Sequence, residues 1–526
     1  LIKVFIFTVY QTILQDCILT YIIFFSYNIT ASAGNVNILT RFKERNVIII
    51  MTKKIIALVL CLGMTSSIAA GCGNSSESSS TATTNSVAST SASGQPKEVT
   101  ITVADWPKES DTTQRQLYDG YVKAMKEKYP NVTIKQDEWK YDANSFLPKA
   151  ASGQLPTLYN TWFTETQKII NSEYAADITS EMVKSGFDKA INPDILNLIS
   201  KDGKYYGVPE SAYVMGMWYN VNLFKKARLL DQNGIPKYPK TYDELAQTAK
   251  IIKEKTGKAG FFFPTKNNQG GWEFMNIAWS FGAEFEKNVN GKWQAVFNSP
   301  EAVSALQYVK DLKWKYNVLT DNVLVEVGDM FKLFGTDQVA MAFGMTDWMN
   351  APVNDYKMSK DNLAISAEPS GPKGSIPQMG GSLFMFSPES TPEQIEAGLQ
   401  WLAIKGITPG ATDTALKGIE EKVKADNAAK RITGPVGLRT WSDPERIKAE
   451  DAIYNKYKTV NMDLFKDYMQ NGSKNMKPEE PINAQELYKA LDLVIQSVLT
   501  DKNADPKTLL DKAAADFQKT YLDKAK

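Results

Sequence analysis
Trp106, Trp139, Tyr159, Trp162, Tyr213, Trp218, Trp272, Trp279, Trp348 and Trp441 fall largely at predicted strand ends or loop starts. Flat, electron-rich rings in such places can stack on the apolar C–H faces of sugars, whose hydroxyls need Asp, Glu, Asn or Arg in the plane of the sugar ring. Asp105 stands beside Trp106 and Asp347 beside Trp348, which offers that combination twice. Trp218 and Trp279 are flanked by apolar residues at core spacing and are assigned to the interior.

Other chemistries are excluded by what the chain lacks. Its 526 residues contain no His, which removes Ser-His-Asp and Cys-His nucleophile activation and the commonest zinc ligand. Of 3 Cys, Cys17 and Cys61 lie in sequence expected to be removed, and Cys72 is expected to carry lipid. The folded part then has no disulfide and no Cys-ligated metal. Asp501-x-Asn503-x-Asp505 begins like a calcium loop, but Pro506 stands at the required glycine and Lys512 at the required glutamate. Asn268-Gln269-Gly270-Gly271 is a glycine loop without a Walker lysine. With 60 basic residues against 59 acidic, nothing points to nucleic acid. Charge runs such as Lys417 to Lys424 read as solvated helix faces. No cofactor or metal is expected.

The elements that must position the aromatics follow an α/β pattern. Glu98–Ala104 alternates as a strand, Thr112–Tyr129 has helical spacing at Leu117, Tyr121, Met125 and Tyr129, and Val132–Gln136 is a second strand. Phe146–Ala151 is part of a helix, and a third strand ends near Trp162. Strand-then-helix order implies a parallel sheet, whose ligands bind beyond the carboxyl ends of the strands. Trp106 and Trp162 belong there.

Lys201–Asn220 is a strand, a bend at Pro209 and a second apolar strand, with no room for a helix and no tight-turn signal. It reads as a crossing between two lobes. A second α/β pattern follows, with a Thr241-x-x-Glu244 helix start, a strand at Phe261–Pro264 and helices over Gly271–Phe281 and from Ser299. Val339–Phe343 is expected as the return crossing, Leu363–Ala367 in the first lobe, and Ser382–Phe386 back in the second. The expected first lobe is therefore 97–212 plus about 350–378, and the second 213–349 plus about 379–526, hinged by the crossing strands with a ligand cleft between them.

The amino end carries an address. Met51-Thr-Lys-Lys, the apolar Ile55–Leu62 and Ile68-Ala69-Ala70-Gly71-Cys72 form a bacterial secretory signal over 51–71 ending in a lipobox. Its apolar run is too short to span a bilayer. Residues 1–50 are expected to be upstream sequence, with translation starting at Met51; a membrane segment in Leu1–Tyr27 is the rival reading. After Cys72, the Ser/Thr-rich stretch to residue 96 reads as a flexible tether.

The "GKxYGVP…YN" form of Gly203–Asn220, followed by Leu223-Phe224-Lys225-Lys226-Ala227 and Pro239-Lys240-Thr241-Tyr242-Asp243-Glu244-Leu245, resembles the family 1 extracellular solute-binding proteins of ABC importers. "DQVAMAFGMTDW" resembles the family's "GKxAMxxxGxW" element. Ser152-Gly153-Gln154-Leu155-Pro156 resembles its "SGxxPD" motif, with Thr157 in place of the acid. The resemblance implies a type II periplasmic-binding-protein fold, a carbohydrate ligand, a membrane permease pair driven by a separate ATPase, and a monomer held outside the cytoplasmic membrane by the lipid on Cys72. It implies ligand contacts at Tyr213 and Trp272, which match sugar-contacting positions of maltose-binding members. It also implies them at Asp347 and Trp348, at the backbone of Gly380 and Gly381, and in the region of Arg439 and Trp441. A glycoside-active enzyme would need paired carboxylates, but Asp105, Glu210, Glu273 and Asp347 come from different elements. A binding protein for a non-sugar cargo, or a sugar sensor, would use the same fold.

Overall fold
Val99–Val103 (β1) buries Ile101 and Val103 on alternate positions, as its VTITV sequence dictates. The computed structural model describes residues 97–143 and 145–524, so the expected signal, Cys72 and tether lie outside the described residues. Thr112–Lys128 (α1) starts at Asp111, whose side chain accepts from the Gln114 N–H, and is followed by Val132–Gln136 (β2) and Leu158–Trp162 (β3). Both strands pair parallel with β1. Val208–Val214 (β4) and Gly216–Asn220 (β5) come next, then the helix Gln269–Phe281 (α2). Met341–Gly344 (β6), Leu363–Ser366 (β7) and Gln378–Phe386 (β8) precede the helices Pro392–Ile404 (α3) and Asp413–Ala428 (α4). Lys477–Pro478 (β9) and Ala484–Thr500 (α5) lie near the carboxyl end.

The strands form two main sheets. One has the order β9-β8-β3-β1-β2 with β4 also on β8; the other is β6-β5-β7. Each has its own hydrophobic core, one around Ile101, Trp106, Leu158 and Trp401, the other around Trp218, Phe261, Trp279 and Phe343. The chain passes between sheets at Met215, inside the stretch expected to cross, and the Met215 N–H donates to the Gln378 carbonyl at 2.8 Å where the chain crosses again.

Three sheet assignments differ from expectation. Val339–Phe343 is no crossing, because β6 pairs antiparallel with β5 inside the second sheet. Leu363–Ser366 lies on the other edge of β5, not in the first lobe. Ser382–Phe386 belongs to β8, between β3 and β4 of the first sheet. In consequence α3 packs on β1 and α1, so the carboxyl-terminal stretch is shared between lobes. The physical reason is common to all three. An unbroken apolar run such as Leu-Ala-Ile marks a strand covered on both faces and says nothing of which sheet covers it. Segment 406–460 bridges the lobes: Ile432 N–H donates to Asn350 Oδ1 at 2.6 Å on the second lobe, while Asn192 N–H of the first lobe donates to the Thr440 carbonyl at 2.9 Å.

The second lobe stores a pH dependence. Glu286 is 9% exposed and accepts from the Ile482 N–H at 3.2 Å. Burial first, then the charge of Glu480, push its pKa up to about 9 against the pull of Ile482 and Lys477. Glu273 and Glu368, also buried, are pushed up chiefly by burial. A carboxyl raised on folding stabilises fully below its unfolded pKa of about 4.3, and that contribution is lost as pH rises through the folded value. Tm should therefore fall from about pH 5 to about pH 9, with a shallower fall in Glu286→Gln. Identical slopes in melts of the two proteins would refute this account of Glu286.

Candidate functional site
Three rings predicted from distant parts of the sequence meet where the lobes join. Tyr213 lies on β4 just before the crossing, Trp272 in the first turn of α2, and Trp348 in the 3-10 turn Thr346–Trp348 after β6. The Tyr213 and Trp272 centroids are 6.1 Å apart at 75°, and those of Trp272 and Trp348 are 5.5 Å apart at 49°. Phe331 extends the row, 5.6 Å from Trp348. All are half-buried, so each keeps part of its surface open. Asp347 is exposed on one side yet enclosed by protein on the others, and that loss of water pushes its pKa up to about 6 against the pull of Lys422 on α4.

Gly380 and Gly381 sit opposite Tyr213 and Ala212. A Cβ on Gly380 would collide with the Tyr213 hydroxyl, and one on Gly381 with the Ser211 carbonyl. Close packing of β8 on β4 is thus sufficient reason for both glycines.

Sequence reasoning missed Glu479. It follows β9, and its Oε1 accepts from Trp272 Nε1 at 2.5 Å and from the Tyr213 hydroxyl at 3.4 Å. Burial pushes its pKa up to about 8, opposed by those bonds. Nothing in Pro478-Glu479-Glu480-Pro481 marks it, since the sequence there reads only as a loop. On the first lobe, Trp162 is 41% exposed at the end of β3, with Tyr141 edge-on at 5.2 Å. The Tyr141 hydroxyl donates to buried Glu165 at 2.7 Å. Lys168 stands 3.6 Å from both Glu165 and Glu486, the latter on α5 of the second lobe, so this ion pair joins the lobes.

A second polar group lies within the first lobe. Asp105 follows β1 at φ 56° and is half-buried, and burial pushes its pKa up to about 6. Beside it, Glu210 falls at a register shift, with Ser382 opposite Ser211 and Leu383 opposite Pro209. Such a bulge re-aims a side chain. Its carboxylate accepts from Asn160 Nδ2 at 2.6 Å, Ser382 Oγ at 3.1 Å and Lys405 Nζ at 3.5 Å. A carboxylate held this way remains able to accept from sugar hydroxyls in the plane of its donors.

Three expected contacts are turned away. Trp106 is 0% exposed and stacks on Trp401 at 5.6 Å and 23°. The left-handed backbone at Asp105 turns the chain, and the next side chain enters the core. Trp441 is 6% exposed, packed beside Phe187 with the Arg446 guanidinium 4.5 Å over its ring. Arg439 donates to Glu450 at 2.9 Å and to Asp451, so its fork is taken by internal partners. Among the described residues no group of three or more His, Cys, Asp or Glu could hold a metal ion, and no helix is long and apolar enough to cross a membrane.

The chain is similar to several known proteins. An arabinooligosaccharide-binding protein of Bacillus subtilis is 24% identical over 431 residues, 77% of this chain and 89% of the relative. A multiple sugar-binding protein of Streptococcus mutans is 23% identical, over 74% of this chain and 81% of its own. The GacH receptor of Streptomyces glaucescens, solved unliganded and with acarbose, superposes with a TM-score of 0.61 at 17% identity, over 81% of this chain and 99% of the receptor. A Listeria monocytogenes ABC substrate-binding protein solved with cycloalternan gives 0.61 at 18% identity, over 80% of this chain and 98% of its own. These likenesses establish the two-lobed fold. Residues 109–405 match the family described as bacterial extracellular solute-binding protein, and the chain belongs to that family.

Proposed function
We propose that this protein captures a carbohydrate, in particular an oligosaccharide, between its lobes and delivers it to the permease of an ABC importer powered by a separate ATPase. The observation that carries the reading is the row of Tyr213, Trp272 and Trp348, with Glu479 and Asp347 at its edges, at the crossing between lobes. Rings supply stacking faces and Asp347 supplies an in-plane acceptor, while Glu479 is engaged at the ring edges by Trp272 and Tyr213. The family membership and the sugars bound by the named relatives support it.

Trp162, Asp105 and Glu210 belong to the first lobe, and Trp272, Asp347 and Trp348 to the second. A ligand touching both sets binds the closed arrangement better than the open one, and by that difference shifts the hinge equilibrium. Gly380 and Gly381 bring β8 close to the same place. Cys72, acylated and tethered, keeps a single copy at the outer face of the cytoplasmic membrane, where its effective concentration near the permease is raised. A glycoside-active enzyme is the weaker reading, because Asp105 and Asp347 sit in different lobes and no single element sets their separation.

The test is intrinsic tryptophan fluorescence and thermal melting of residues 95–526 across arabino-, malto- and xylo-oligosaccharides and their monosaccharides. A sugar should shift emission and raise Tm, with no new reducing ends afterwards. Silence across the panel would transfer the cleft to a non-sugar cargo, and released reducing ends would make the protein an enzyme.

A further inference from the structure
Glu479 connects three separate parts of the chain. Its neighbours Lys477 and Pro478 pair with Gln378 and Met379 of β8, next to the glycine pair. Its Oε1 takes the indole N–H of Trp272 from α2 and the hydroxyl of Tyr213 from β4. Without that oxygen, the Trp272 N–H would lose its acceptor in a half-buried place, and the crossed angle of 75° between the two rings would lose its common anchor. Aromatic contacts are sensitive to offset and tilt, so an anchor at the ring edges governs the face that a ligand meets.

Resting on the reading of this cluster as a sugar cleft, we infer that Glu479 is a positioning residue, fixing Trp272 and Tyr213 in the arrangement that determines which sugar ring stacks there. The role needs an acceptor oxygen and not a charge. Glu479→Gln keeps an oxygen of the same reach, whereas Glu479→Met fills the space without one.

The experiment uses the chain from Cys72 onward, labelled with 15N-tryptophan, and identifies the Trp272 indole N–H resonance by its loss in Trp272→Phe. In the ligand-free protein, Glu479→Met should move that resonance and quicken its solvent exchange about tenfold, while Glu479→Gln leaves it close to wild type. Affinity for the sugar selected by the panel should fall about tenfold in Glu479→Met and stay within about threefold in Glu479→Gln. If Glu479→Met does not fold, Glu479→Ala carries the same readouts. An unmoved resonance, unchanged affinity beside a moved resonance, or a Gln variant as weak as Met would each overturn the inference. A wild-type chain that binds no sugar overturns the sugar reading and this role with it, and an intact resonance response would then show that the bond exists without that purpose.

Discussion

Trp272→Ala is expected to weaken binding of the cognate sugar by about 1–3 kcal/mol, roughly 5- to 150-fold, the combined worth of an aromatic contact and its buried area. The indole stands in the middle of the row, touching Tyr213 on one side and Trp348 on the other, and is half-buried. Its loss removes a stacking face and also strips Glu479 of its shortest donor, leaving that carboxyl buried with only the longer Tyr213 bond of the pair. The ring sits against the second core rather than within it, so the binding loss should exceed the loss of fold stability. Calorimetric titration checks the first effect and melting the second. Because the Trp272 and Trp348 rings are in contact, their alanine variants should combine non-additively. Unchanged affinity in Trp272→Ala would move this residue to the core and remove the observation on which the sugar reading stands.

Much of the architecture was legible from local chemistry. Thr241 caps its helix by accepting from the Glu244 N–H, and Thr391 with Gln394 forms a reciprocal capping box, because these residue types satisfy the free N–H groups of a helix start wherever they occur. A crossing within Lys201–Asn220 was legible from the lack of length for any other connection, but its position was not: Pro209 and Tyr213 both lie inside β4 of the first sheet, and the chain changes sheets at Met215. Sheet membership was not legible either. Leu363–Ser366 and Ser382–Phe386 read as strands but carry no local sign of their lobe, since pairing partners more than a hundred residues away determine the sheet. Tyr213, Trp272 and Trp348 were found by residue type and family pattern, and the structure brings them together. Glu479 was beyond reach as a site residue, and Glu210 stood out only as one of several scattered carboxylates. One depends on a loop settling against two rings from other elements, the other on a bulge and on Lys405, which lies 195 residues further along the chain.

Trp106 tests the distinction between a strand end and a binding face. Both it and Trp162 follow strands whose carboxyl ends point toward the junction, yet Trp162 is 41% exposed and Trp106 is 0%. Trp106→Ala should cost the first lobe about 3–5 kcal/mol of stability, the range for truncating a buried aromatic. The ring stacks on Trp401 and meets Tyr118 edge-on at 4.9 Å, contacts that alanine cannot replace. One consideration moves the value toward the lower end of that range: the Trp106 Nε1 is buried without a hydrogen-bond partner, and removing an unpaired donor recovers part of its desolvation cost. Trp106→Phe keeps much of the ring contact and drops the same donor, so its loss should be smaller. In the Phe variant, whose fold is preserved, sugar affinity should stay within about twofold of wild type, because no part of the ring reaches the junction between lobes. Denaturant midpoints and calorimetric titration of the same preparations separate the two effects. A folded Trp106→Phe protein with sharply weakened binding would show that the ring supports the cleft through Asp105, its neighbour in sequence, and that stability and recognition in this lobe cannot be assigned to different side chains.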